Sequence, residues 1–174
     1  EADIKAGAST ITDPQFLEGG RVRKFSLVLA NFPFSDEFWW LKPEQQTDDK
    51  KKDKLKKETF GKEGYKDPFG RFGRGTGFKA PPAGYGDYAF ILHILASLTD
   101  DGRAGIVCPQ GVLFRGQPEV EEETGEFDDD GNPKMKRRKA DDEHLIRKAL
   151  LEARLIDAVI SLPLHVFYGA GVPA

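Results

Sequence analysis

Phe25-Ser26-Leu27-Val28-Leu29-Ala30-Asn31-Phe32-Pro33-Phe34 is the stretch that decides the fold. Phe25 to Ala30 is an apolar run of strand length with no helical spacing of polar residues. It fits a strand buried on both faces, as in a parallel sheet flanked by helices. The run stops at Asn31, and Pro33 lacks the N–H that would continue a ladder. An amide, a proline and two aromatic rings therefore stand just past the carboxyl end of a central strand, the edge where open α/β sheets bind ligands. Read by itself, Asn31–Phe34 is equally an ordinary strand-ending turn with a packed ring.

Downstream, Phe90, Ile91, Ile94, Leu95 and Leu98 form one broad apolar face, which predicts a helix over 87–98 with Asp87 as N-cap and Asp101-Gly102 as its stop. Ala104 to Cys108 reads as a second strand ended by Pro109. Leu145, Ile146, Ala149 and Leu150 mark a helix over 142–152, and Leu155 to Leu162 a third central strand broken by Pro163. Upstream, Ala2-Asp3-Ile4-Lys5 fits the tail of a strand. The order strand, long loop, helix, strand, insertion, helix, strand implies an α/β layered sheet.

Two segments interrupt that alternation. Residues 41–86 read as a long loop that opens on Trp39-Trp40 and carries the basic run Lys50, Lys51, Lys52 to Lys57. Such a run is either a solvated loop or a set of phosphate contacts. Further on, Arg71 and Arg74 alternate with Phe69 and Phe72. That pattern suits gripping a nucleic-acid strand by charge and stacking, or rings that merely anchor the loop. Residues 117–142 form an acidic-then-basic insertion, expected as a surface hairpin or a disordered loop.

The 174 residues carry a net charge of −3, with 32% charged and 39% hydrophobic residues, enough for one soluble domain with a core and against a uniformly basic coat. No apolar run approaches the roughly 20 residues of a membrane span. A lone cysteine, Cys108, excludes an internal disulfide and any cysteine-rich metal knuckle, so cytoplasm is the default expectation and no metal is expected. His93 reads as a packing residue, since no second ligand follows at i+4. The chain begins without methionine and ends just after a glycine-rich turn, and both ends look cut.

The chain resembles the N6-adenine DNA methyltransferases, and within them the modification subunit of type I restriction–modification systems. The resemblance rests on Leu29-Ala30-Asn31-Phe32-Pro33-Phe34-Ser35, on Gly86-Asp87-Tyr88-Ala89-Phe90, on Gly111-Val112-Leu113-Phe114-Arg115-Gly116, on Leu155 to Pro163 and on Phe167-Tyr168-Gly169. It implies a Rossmann-like sheet that uses S-adenosylmethionine, here incomplete, because no glycine-rich cofactor loop follows a first strand.

By the family's motif, Asn/Asp-Pro-Pro-Phe/Tyr, Asn31 would offer an amide oxygen and residue 32 a carbonyl to the N6 hydrogens of an extruded adenine. Pro33 would stiffen the turn, and Phe34 would stack on the base. Asp87, Phe90 and Asn31 would lie at the cofactor. Arg71, Arg74, Lys50, Lys51, Lys52 and Arg115 are candidates for contacts with double-stranded DNA. A specificity subunit and a restriction subunit are the implied partners. Phe32 departs from the family's first proline, and Ser26 from its usual aspartate. These departures motivate an alternative, an impaired homologue that binds DNA or a partner without catalysis.

Overall fold

The structure is a computed structural model that describes residues 9–42, 45, 49–61, 64–73 and 75–163. In chain order these form β1 (Leu17–Glu18), β2 (Arg21–Val22), β3 (Phe25–Asn31), α1 (Asp49–Phe60), α2 (Asp87–Ala96) and β4 (Leu98–Val107). A 3-10 turn follows at Gln110–Leu113, then β5 (Val120–Phe127), β6 (Pro133–Arg138) and α3 (Asp142–Glu152). β3 and β4 pair in parallel with α2 between them in sequence, so the centre is the β-α-β unit of an α/β fold. Pairing runs in step from Leu27↔Arg103 to Asn31↔Val107. Both strands therefore deliver their following loops to one edge. β1–β2 and β5–β6 are separate antiparallel hairpins.

The core lies on one side of the parallel pair. Val28 and Ala30 of β3 pack against a cluster that includes Phe32, Trp39, Trp40, Leu41, Tyr88, Phe90, Leu92, Ile146 and Leu150. Leu27 and Leu29, on the alternate face with Asn31, are exposed. The strand is thus covered on one face among the described residues, where two buried faces were expected. Leu155–Leu162 forms no strand either. Without a ladder partner among the described residues its backbone gains nothing from strand geometry, Val159 and Ile160 are exposed, and an exposed Arg103–Asp157 ion pair of 2.8 Å ties it to β4.

Among the described residues of 41–86, where a long loop was expected, there is a helix, α1. The basic run lies in α1, whose Leu55 and Phe60 pack on the core while Lys51, Lys54, Lys56 and Lys57 are exposed. Trp39 and Trp40 are buried, and their indole N–H groups donate to the carbonyls of Pro82 at 3.1 Å and of Ala83 at 3.2 Å. Phe60, Tyr65 and Phe72 ring Trp39 at 5.0–6.0 Å between centroids. Buried indoles with satisfied donors thus fasten the glycine-rich stretch down.

Two boundaries also differ from the sequence reading. Gly86, not Asp87, is the N-cap of α2, and the helix ends at Ala96 with Ser97 as its C-cap, while Asp101-Gly102, expected as the stop, belong to β4 at a shift in register. The expected hairpin form of 117–142 is present as β5–β6. The strand tail expected at Ala2–Lys5 and the turn expected at Phe167–Gly171 lie outside the described residues.

Candidate active site

β3 ends at Asn31, which is exposed, and the chain turns at once. Phe32 goes inward, buried, with its ring stacked on Phe90 of α2 at 5.0 Å and 7°. Pro33 is exposed, and Phe34 is half-buried with its ring edge-on to Phe32 at 6.0 Å. The turn closes at Ser35, a non-glycine residue with φ of +54°, in the left-handed region that side chains other than glycine seldom adopt.

Three charged side chains hold this turn. Asp87 is fully buried in the first turn of α2, and its Oδ1 accepts the backbone N–H of Ser35 at 2.8 Å. Its Oδ2 accepts from Nη2 of Arg115, which lies in the loop after β4. Arg115 Nε donates to Oε1 of Glu143 at 3.2 Å, in the first turn of α3, and Nη1 reaches Ser35 Oγ at 3.4 Å. The Tyr85 ring covers the guanidinium at 4.5 Å. Burial raises the Glu143 carboxyl above its ordinary value even with Arg115 beside it.

The supporting elements approach closely. A Cβ on Gly116 would meet the His144 nitrogen at 2.8 Å, and one on Gly86 would meet Trp39 Cβ at 2.9 Å. Tyr88 donates its hydroxyl to the Val112 carbonyl at 2.6 Å, and Arg147 donates to that of Arg115 at 2.7 Å. The loops after β3 and β4 and the starts of α2 and α3 are thereby cross-linked at the carboxyl edge.

Against the sequence expectations, the structure brings together Asn31, Phe32, Pro33, Phe34, Asp87, Phe90 and Arg115. It reassigns several of them. Asp87 is fully buried with each oxygen bonded within the protein, and Phe90 is buried under Phe32. Arg115 has a side chain only 17% exposed and shared between two carboxylates, which removes it from the DNA-facing set.

Arg71 is removed too. Its side chain is wholly buried, pairs with Asp67 at 2.7 Å, donates to the Ile11 carbonyl at 2.7 Å and meets His93 Nδ1 at 3.0 Å, while Phe69 and Phe72 stack on it. Arg71 and the rings of Phe69 and Phe72 anchor a loop. Arg74 and the Lys50 side chain lie outside the described residues. Lys51 is exposed, and Lys52 stands over the Phe38 ring at 4.3 Å.

Cys108 is half-buried beside this edge. Burial, and secondly the Asp87 charge, push its thiol up to about 11, so it is a protonated packing group at neutral pH.

Sequence reasoning gave no role to Ser35, Glu143 or Tyr85. Glu143 lies 28 positions from Arg115, so no local spacing links them. A left-handed serine has no signature in the letters at all.

A parallel α/β unit with an amide-x-proline-aromatic turn at its carboxyl edge defines a class, and comparison with known proteins agrees. A family model described as N-6 DNA Methylase matches residues 1–123 and 135–174, and the chain belongs to that family. It is similar to the type I restriction enzyme MjaIX methylase subunit of Methanocaldococcus jannaschii, 26% identical over 99% of this chain and 22% of that protein. It is also similar to the type I restriction enzyme HindI methylase subunit of Haemophilus influenzae, 22% identical over 98% of this chain and 26% of that one. The type I restriction enzyme MpnII methylase subunit of Mycoplasma pneumoniae is 35% identical over 49% of this chain and 11% of its own length. The chain thus spans about a quarter or less of the relatives it matches.

Proposed function

We propose that the chain is the target-base part of an adenine-N6 DNA methyltransferase that works as the modification subunit of a type I restriction–modification complex, in the cytoplasm of a prokaryote. The observation that carries this reading is the exposed Asn31 at the carboxyl end of β3, followed by a half-buried Phe34 on a turn fixed from beneath. The β-α-β unit is then a piece of a Rossmann-like sheet.

The exocyclic amine of adenine is a weak nucleophile because its lone pair is delocalised into the ring. The Asn31 amide oxygen and the Phe32 main-chain carbonyl each accept one N6 hydrogen, drawing the nitrogen toward tetrahedral geometry and localising the lone pair. Phe34 stacks on the base once it has left the duplex, and the unstacking is offset by this contact. S-adenosylmethionine, when bound, supplies the electrophilic methyl group. Asn31 is exposed and suits contact with it, whereas Asp87 and Phe90 do not.

Phe32 in place of proline supports activity and not its loss. The ring stack on Phe90 restrains the backbone that a proline would otherwise stiffen. Cys108 offers no covalent route, since its thiol stays protonated. Lys50, Lys51, Lys52 and Arg74 remain the candidates for phosphate contact, and a separate specificity subunit reads the sequence.

The test is to express the full-length protein with its specificity subunit, incubate it with duplex DNA and labelled S-adenosylmethionine, and locate the label. Label on adenine N6, lost in Asn31→Ala, supports the proposal. DNA binding without transfer identifies an impaired homologue, and label on protein or RNA overturns the choice of substrate.

A further inference from the structure

We propose that Arg115, acting with Asp87 and Glu143, is a positioning residue that locks Ser35 in its left-handed conformation and so aims Asn31 and the Phe32 carbonyl. This rests on the function proposed above. Ser35 follows the tetrapeptide directly, so its φ sets the path by which the chain leaves the turn. A serine at +54° is disfavoured in isolation and persists where its surroundings over-determine it. Here they do so twice, because Asp87 Oδ1 takes the Ser35 N–H and Arg115 reaches the Ser35 hydroxyl.

Competing roles fail on the same geometry. As a phosphate contact Arg115 would need a free fork, but Nε and Nη2 are on carboxylates and Tyr85 covers one face. Asp87 as a ligand for a cofactor hydroxyl would need an accessible oxygen, and the residue is fully buried with each oxygen already bonded within the protein. Buried ion pairs add little to stability compared with well-packed apolar residues, and a role in fixing one conformation accounts better for this one.

The experiment uses the full-length protein with its specificity subunit and four variants, Arg115→Gln, Arg115→Lys, Asp87→Asn and Glu143→Gln. Three quantities are read: kcat, the KM values for DNA and S-adenosylmethionine, and hydrogen exchange at the peptide containing Ser35. Arg115→Gln is expected to lower kcat roughly 10- to 100-fold, the scale of a catalytic group displaced by about 1 Å, while both KM values stay within about twofold. Exchange at Ser35 should accelerate in parallel. Arg115→Lys, which keeps the charge but not the fork, should fall between wild type and Arg115→Gln. Glu143→Gln is nearly isosteric and guards against loss of folding.

Unchanged kcat with a raised KM for DNA and a shallower salt dependence would make Arg115 a phosphate contact and overturn the lock. Unchanged kcat with a raised KM for S-adenosylmethionine in Asp87→Asn would overturn it as well. If wild type transfers no methyl group to adenine, yet Ser35 exchange still accelerates in Arg115→Gln, the proposed activity fails and the lock stands. If wild type methylates and both readouts ignore the substitution, the lock alone fails.

Discussion

The carboxyl edge and the β5–β6 hairpin are both rich in charge, and they use it in opposite ways. At the edge one arginine and two carboxylates are withdrawn from water, each engaged, each from a different element. On the hairpin nearly every residue is exposed. Its ion pairs run across the two strands, Glu122 to Arg138 at 3.6 Å, Glu126 to Lys134 at 3.7 Å and Glu119 to Arg137. Exposed pairs of this kind contribute about 0–1 kcal/mol each, whereas removing one partner of a buried pair costs about 3–5 kcal/mol. The family match also skips residues 124–134, the hairpin tip. The contrast predicts that this chain tolerates change in the exposed charged hairpin and not among the buried charges of the carboxyl edge.

The largest effect expected from that contrast is on chemistry. Asn31→Ala should reduce methyl transfer by roughly 100-fold or more, the scale of losing a preorganised polar group at a reacting centre, with thermal unfolding unchanged because the side chain is exposed. Undiminished transfer would detach the edge from catalysis. Next comes Phe32→Pro, which restores the family's letter but deletes a buried ring. Loss of the Phe90 stack should cost about 3–5 kcal/mol in denaturant unfolding, so activity falls instead of rising. A neutral result would show that the turn is held by Asp87 and Arg115 alone.

Third in size is a pH effect at the other end of β3. Burial, then the Arg71 charge, hold His93 down at about 4 against an ordinary 6.5. Between those values the unfolded chain binds a proton that the folded chain refuses, so stability is full above pH 6.5 and falls as pH drops toward 4. The total is on the order of 3 kcal/mol. His93→Gln should flatten the slope in denaturant titrations at pH 7 and 4.5. The smallest effect belongs to the hairpin. Replacing residues 118–140 with a short glycine-serine link between Gln117 and Asp141 should change stability by less than about 1 kcal/mol, since an isolated exposed hairpin is marginal by itself. A larger loss would erase the distinction drawn between the two regions.

Much of this was legible in the letters. The strand ending at Asn31, the helix after Asp87 and the strand before Pro109 follow from apolar spacing, which is local information. Tertiary context decided the rest. Arg71 reads as a nucleic-acid contact because its neighbours are rings and glycines, yet Asp67, four residues before it, with Ile11 and His93, turns it inward. Leu155–Leu162 has strand composition, but a strand exists only where a neighbour completes its ladder. Lys50–Lys57 looks like a loop because its charge hides the two apolar contacts, Leu55 and Phe60, that seat α1. Nor does spacing reveal the Ser35–Asp87–Arg115–Glu143 chain, whose members are up to 108 positions apart.

Cys108 has a practical consequence. It is the only thiol in the sequence, half-buried, and stays protonated at neutral pH. Thiolates add to maleimide dyes, so a second cysteine placed on the exposed hairpin at Thr124 would take up label first. This stretch of chain thus takes a single site-specific probe without prior removal of Cys108.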